Sequence, residues 1–152
     1  MRFFSARPIR QALARSVELN QTELKAEVVS RLHSWADVKS QDSIIITVTF
    51  SGNDQRYTNP VMQAFNGANT GTVKNNTYMQ RSDGKQLFLQ EYHAPIQDNL
   101  GAKFIFPRVV DGEPFLNGAS GTVRFYAEFN DSFKLNMRFK VADMIYDQRL
   151  EY

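Results

Sequence analysis

Residues 123–141, VRFYAEFNDSFKLNMRFKV, carry the pattern from which the fold class follows. Val123, Phe125, Ala127 and Phe129 alternate with Arg124, Tyr126 and Glu128. After Asn130-Asp131-Ser132, residues Phe133, Leu135, Met137, Phe139 and Val141 alternate with Lys134, Asn136, Arg138 and Lys140. Side chains along a strand point alternately to its two faces, so each arm sends one set inward and the other to water. Two such arms across a short polar turn predict a long antiparallel hairpin with one face in the core. Phe125, Phe129, Leu135, Met137 and Phe139 are expected to be buried together.

Working back from the hairpin, residues 103–110 contain Phe104-Ile105-Phe106 and read as a strand that Pro107 interrupts or confines to an edge. Residues 77–80 and 86–92 flank Asp83-Gly84, which predicts a second hairpin. The β-branched run from Ile44 to Thr49 predicts a strand over 43–50. Between these, residues 51–60 (SGNDQRYTNP) read as a loop, 60–65 as one or two helical turns, and 66–76 (NGANTGTVKNN) as an exposed, mobile connection.

Ahead of the first strand, Ile9, Leu13 and Val17 recur every four residues after Pro8, predicting a short helix over 8–17. Asn20 with Glu23 three residues on resembles a capping arrangement. Leu24, Val28, Leu32 and Trp35 then predict a second helix ending near residue 35. The expected fold class is α+β and β-rich: an antiparallel sandwich or curled sheet of six to seven strands preceded by two N-terminal helices. Residues 1–36 form the helical segment and 37–152 the antiparallel β domain, one folding unit without repeat or linker.

A chain of 152 residues, 42% of them hydrophobic, has enough apolar material for one core. The formal charge of +2 is too small to point to a polyanionic partner by itself. The absence of cysteine excludes disulfides, thiolate metal ligands and a cysteine nucleophile. No apolar run approaches the roughly 18–20 residues of a membrane span. Residues 1–17 carry Arg2, Arg7, Arg10 and Arg15 and no acid, a composition shared by mitochondrial transit peptides and by amphipathic helices with arginine on the wet face. The second reading is the expectation, with the cytoplasm as compartment and the mitochondrion as its alternative.

Two histidines are available. His33 follows Leu32 on the second predicted helix and reads as solvated or cap-bonded, without an acid spaced to hold it as a base. His93 lies two residues from Glu91 at the end of a predicted strand, where residues two apart share a face and a carboxylate can orient an imidazole. Ser82, Ser120 and Ser132 are the hydroxyls to consider as nucleophiles, but no Gly-x-Ser-x-Gly elbow surrounds them. Two histidines without cysteine do not make a usual structural zinc site, and neither metal nor cofactor is expected. Asn/Asp pairs such as Asn53-Asp54 are turn residues first, and the glycines at 67 and 71 lack the lysine of a phosphate loop.

The outward face of the last hairpin gathers Arg124, Lys134, Arg138 and Lys140 around Tyr126, against Glu128 alone. Such a face binds anionic partners or is simply solvated. Phe3 and Phe4, outside both helical stripes, are expected with the first helix to meet a partner chain. The function expected is a non-catalytic protein-binding or assembly module, a structural or accessory subunit of a larger complex. Its partner is another protein or a second copy, with nucleic acid or an anionic glycan behind these. The alternatives are a small hydrolase acting through Glu91 and His93, and an accessory subunit of a mitochondrial complex.

Overall fold

The structure is a computed structural model and describes residues 1–21 and 23–152. The chain opens with a short strand, β1 (Arg2–Phe3), followed by helices α1 (Arg7–Asn20) and α2 (Ala26–Asp37) and strand β2 (Ser43–Val48). Helices α3 (Gln55–Gly67) and α4 (Thr70–Val73) precede β3 (Thr77–Arg81), β4 (Gln86–Phe88), β5 (Glu91–His93) and β6 (Ala102–Pro107). Two short strands, β7 (Val109–Val110) and β8 (Glu113–Pro114), lead to the long hairpin of β9 (Thr122–Asn130) and β10 (Phe133–Lys140). A last pair, β11 (Ile145–Tyr146) and β12 (Arg149–Leu150), follows a 3₁₀ turn.

Two four-stranded antiparallel sheets form, with strand orders β1-β2-β6-β5 and β10-β9-β3-β4. Ile44, Ile46, Phe104 and Phe106 of the first sheet and Met79, Val123, Phe125 and Ala127 of the second are fully buried in one core. The rings of Phe104 and Phe125 meet edge to face at 5.0 Å. The arrangement is α+β, β-rich and sandwich-like, as the alternation implies. The strand count exceeds six or seven because β1, β7, β8, β11 and β12 have two residues each, too few to show a period.

The strand expected over 86–92 is broken. Leu89 N–H donates to the Thr77 carbonyl of the second sheet and Gln90 N–H to the Ile105 carbonyl of the first. The chain thus crosses between sheets in one step, leaving β4 and β5 on opposite sides of the core. Pro107 closes β6 opposite Ser43, at a strand end where its missing N–H costs little.

Two expected loops are helical. Asp54 Oδ1 accepts from Arg56 N–H at 3.0 Å and starts α3 within the supposed loop, burying Phe65. In the supposed mobile connection, Thr72 N–H donates to Asn69 Oδ1 at 3.2 Å and Asn69 N–H to Thr72 Oγ1 at 3.0 Å. This capping box holds α4, whose Val73 is buried.

The N-terminal segment departs furthest from expectation. β1 pairs with β2, and Phe3, 7% exposed, sets its ring edge-on to Phe139 at 4.9 Å. Phe3 is therefore core, and its assignment to a partner contact is corrected. Phe4 is partly buried against Trp35, with ring centroids 5.9 Å apart. Arg10 is not on a wet face but 1% exposed, donating to the carbonyls of Trp35, at 2.8 Å, and Val38. The last carbonyls of a helix lack partners within it, and Arg10 supplies them at the end of α2. Burial pushes its pKa down. On α2 the covered residues are Val29, Leu32, Trp35 and Ala36, while Val28 is exposed. Asn20 does not cap this helix; it ends α1, donating to the Ser16 carbonyl. Thr22, between Asn20 and Glu23 of that expected capping arrangement, lies outside the described residues.

The inward residues of the hairpin also differ from expectation. Phe125 is fully buried, Phe129, Leu135 and Phe139 are partly buried, and Met137 is exposed. The reason is position: β9 is covered on both sides by strands only as far as Ala127, where the pairing with β3 ends, so Phe129 lies beyond it, and β10 is an edge throughout.

Candidate binding surface

The cationic residues of the hairpin do lie on one face, and the register shows what surrounds them. Arg138 pairs with Arg124, Asn136 with Tyr126, and Lys134 with Glu128. On its other side β9 meets β3, setting Tyr78 beside Tyr126 and Gln80 beside Arg124. β4 then adds Phe88 beside Tyr78 and Gln86 beside Gln80. Two rows cross the outer face: Asn136–Tyr126–Tyr78–Phe88 and, one step along the strands, Arg138–Arg124–Gln80–Gln86.

The aromatic row is held by its own contacts. Ring centroids are 5.2 Å apart for Tyr78 and Tyr126 and 6.0 Å for Tyr78 and Phe88. Cross-strand aromatic neighbours of this kind stabilise a sheet by up to about 1 kcal/mol each. The Arg124 guanidinium lies 5.4 Å from the Tyr126 ring and donates through Nε to Asn136 Oδ1 at 2.8 Å. Phe88 remains 49% exposed at the end of the row.

Glu128 is the acid of this face, and it is engaged. The Tyr126 hydroxyl donates to its Oε2 at 2.6 Å, and Lys134 Nζ lies 3.1 Å from its Oε1. These two donors, the hydroxyl first, hold the Glu128 carboxyl below its ordinary range. The same contacts push the Tyr126 hydroxyl and the Lys134 ammonium up. Arg138 and Lys140 have no ion-pair partner among the described residues, so the face keeps an uncompensated positive charge.

Sequence reasoning found Arg124, Tyr126, Lys134, Arg138 and Lys140 but missed Tyr78, Gln80, Gln86 and Phe88. Their strands were recognised. What joins them to the hairpin is a pairing between positions almost fifty residues apart, which no local pattern encodes.

Glu91 and His93 come together on β5 as their spacing implies, with His93 Nε2 at 3.1 Å from Glu91 Oε1 and both side chains about half exposed. The adjoining cleft, about 400 Å³, is walled by Phe4, Ile45, Ala94, Ile96 and Ile105 with His93 and Lys103, and holds no hydroxyl. Lys103 is occupied with Asp98 at 2.6 Å. Ser82 donates to the Ser120 carbonyl and Ser120 to Asn117 Oδ1, so these two hydroxyls are turn contacts, and neither lines the cleft beside the pair. His33 does find an acid, Glu18 of α1, across a pairing of helices that spacing along one helix does not reveal.

Among the described residues no group of three or more histidines, cysteines, aspartates or glutamates is placed to hold a metal ion. No described helix is long and apolar enough to cross a membrane. Compared with known proteins, the chain matches no family model, no curated protein and no solved structure.

Proposed function

We propose that this chain is a non-catalytic binding or assembly module, a structural or accessory subunit that meets its protein partner on the outer face of the second sheet. The observation that carries this reading is the pair of rows just described. Aromatics already fixed by their neighbours lose little rotational freedom on binding, and half-exposed aromatics beside arginine are the side chains on which interface energy concentrates. The uncompensated charge of Arg124, Arg138 and Lys140 favours an acidic partner surface and speeds encounter with it.

The test is photo-crosslinking in extract of the native source, with a benzophenone side chain at position 126 and, as control, at Tyr57, which is 70% exposed on α3. A discrete protein adduct at 126, absent at 57 and lost in Arg124→Glu/Arg138→Glu, is the expected result. Equal adducts at both positions, or none at 126, would turn the reading away. The Glu91–His93 contact favours the hydrolase reading. That alternative requires ester hydrolysis by the purified chain that disappears in His93→Ala.

A further inference from the structure

Strand β10 is an edge eight residues long, and the backbone hydrogen bonds show which of its groups are free. Val141 N–H donates to the Gly121 carbonyl at 2.9 Å. Antiparallel alternation therefore turns the amides and carbonyls of Phe139, Met137 and Leu135 toward β9, and those of Lys140, Arg138, Asn136 and Lys134 outward. The opposite strand agrees: the carbonyl of Thr122, which pairs with Lys140, accepts from Ser82 N–H on the β3 side.

The other sheet ends on the same flank. β1 is the edge of the first sheet, and Phe3 on it touches Phe139. An open cleft of about 550 Å³ lies between these edges, walled by Phe3, Ile9, Phe139 and Met144, with Arg2, Arg138, Lys140 and the acids Asp143 and Glu151 also lining it. This lies within the usual size range of ligand pockets. Beside it the inward side chains of β10 are incompletely covered, Met137 being 45% exposed. The flank thus offers a row of free backbone groups, an apolar strip and an apolar cleft.

A second copy of β10 is a poor occupant. In the fully overlapped antiparallel registers it would set Lys134 opposite Lys140, or Lys134 opposite Arg138, or Arg138 opposite itself. Like charges directly opposite are destabilising. The same cations complement acids.

We propose, building on the binding-module reading, that an extended segment of a partner protein with alternating apolar and acidic residues adds to β10 as a further strand. Its backbone bonds to the free groups of Lys134, Asn136, Arg138 and Lys140, its acids face Lys134, Arg138 and Lys140, and its apolar residues cover Met137 and enter the cleft. Strand addition of this kind draws affinity from main-chain hydrogen bonds and selectivity from alternate side chains.

The probe is an acetylated, amidated peptide of alternating glutamate and valine, added to the full chain while amide hydrogen exchange is followed by NMR. Protection of the Lys134, Asn136, Arg138 and Lys140 amides is expected, with the β9-bonded amides of Leu135, Met137 and Phe139 protected throughout. Asn136→Pro removes an outward N–H and leaves the β9 ladder its bonds, so it should retain the fold and lose the peptide. If that variant does not fold, Arg138→Glu/Lys140→Glu serves. It should weaken the glutamate peptide by roughly tenfold or more and favour a lysine–valine peptide instead.

No edge protection at millimolar peptide overturns the proposal. So does peptide that perturbs Tyr78 and Tyr126 while the edge amides exchange freely, which would mean binding to the face alone. Edge protection that arises from self-association on sizing, or that only oligothymidylate produces, overturns it in favour of a dimer or of nucleic acid. Each failure is separable from failure of the module reading, which the adduct at position 126 decides.

Discussion

Strands β9 and β10 carry the same alternation and pair directly, yet they end in different environments. Val123, Phe125 and Ala127 on β9 are 0% exposed, whereas Met137 on β10 is 45% exposed and Leu135 and Phe139 keep part of their surface in water. Over Val123, Phe125 and Ala127, β9 lies between β10 and β3 with β6 across the core, so these residues meet side chains on every side. β10 has a strand on one side only, and the sheet opposite narrows to two residues of β1. Alternation chooses the face a side chain points to. The number of strands beyond it decides how far that face is covered.

Replacing Phe125 by Ala is the largest expected effect, a loss of about 3–5 kcal/mol in urea unfolding, because a fully buried ring leaves a cavity its neighbours cannot fill. A loss below about 1.5 kcal/mol would break the claim that β9 forms the centre of the core. Phe139→Ala should cost less, about 1–3 kcal/mol: part of the ring is already wet, and the principal loss is its contact with Phe3. A cost equal to that of Phe125→Ala would show the β10 edge to be covered as well as the centre. The smallest expected effect lies on the outer face. Glu128 titrates below its ordinary value in the folded chain, so its contribution is present above the unfolded pKa and is lost as pH falls through the lower, folded one. Glu128→Gln should remove that contribution at neutral pH and leave stability below the folded pKa unchanged, so that the acid limb of the curve flattens slightly; the effect is small because ion pairs open to solvent contribute little.

The long hairpin, β2, the Asp83-Gly84 turn and the two N-terminal helices were legible because each announces itself within a dozen residues, through period or turn chemistry. Helix α3 was legible only in its second half, as the turns over 60–65: Asp54 and Pro60 are turn residues by composition, and no local pattern carries the helix back to residue 55 ahead of Phe65, which reaches the core. Arg10 shows the same limit. A basic residue near a chain start reads as solvated, and nothing local reveals that α2 will return its last carbonyls to that guanidinium.

Of the candidate surface, the cations on β9 and β10 were legible by parity alone, since residues two apart on a strand share a face. The aromatic row was not, because Tyr126, Tyr78 and Phe88 become neighbours through strand register.

By itself, then, the sequence determined which residues lie in strands and helices near the chain's strongest periods, and to which side of each strand they turn. Those are consequences of local backbone geometry. The tertiary structure alone decided that Phe3 is core rather than interface, that β10 is an open edge beside a cleft, and that three aromatics stand in line beside two arginines. Each depends on which distant segment packs alongside, and that choice is made by the shared burial of surfaces from the whole chain, which no window of neighbouring residues contains.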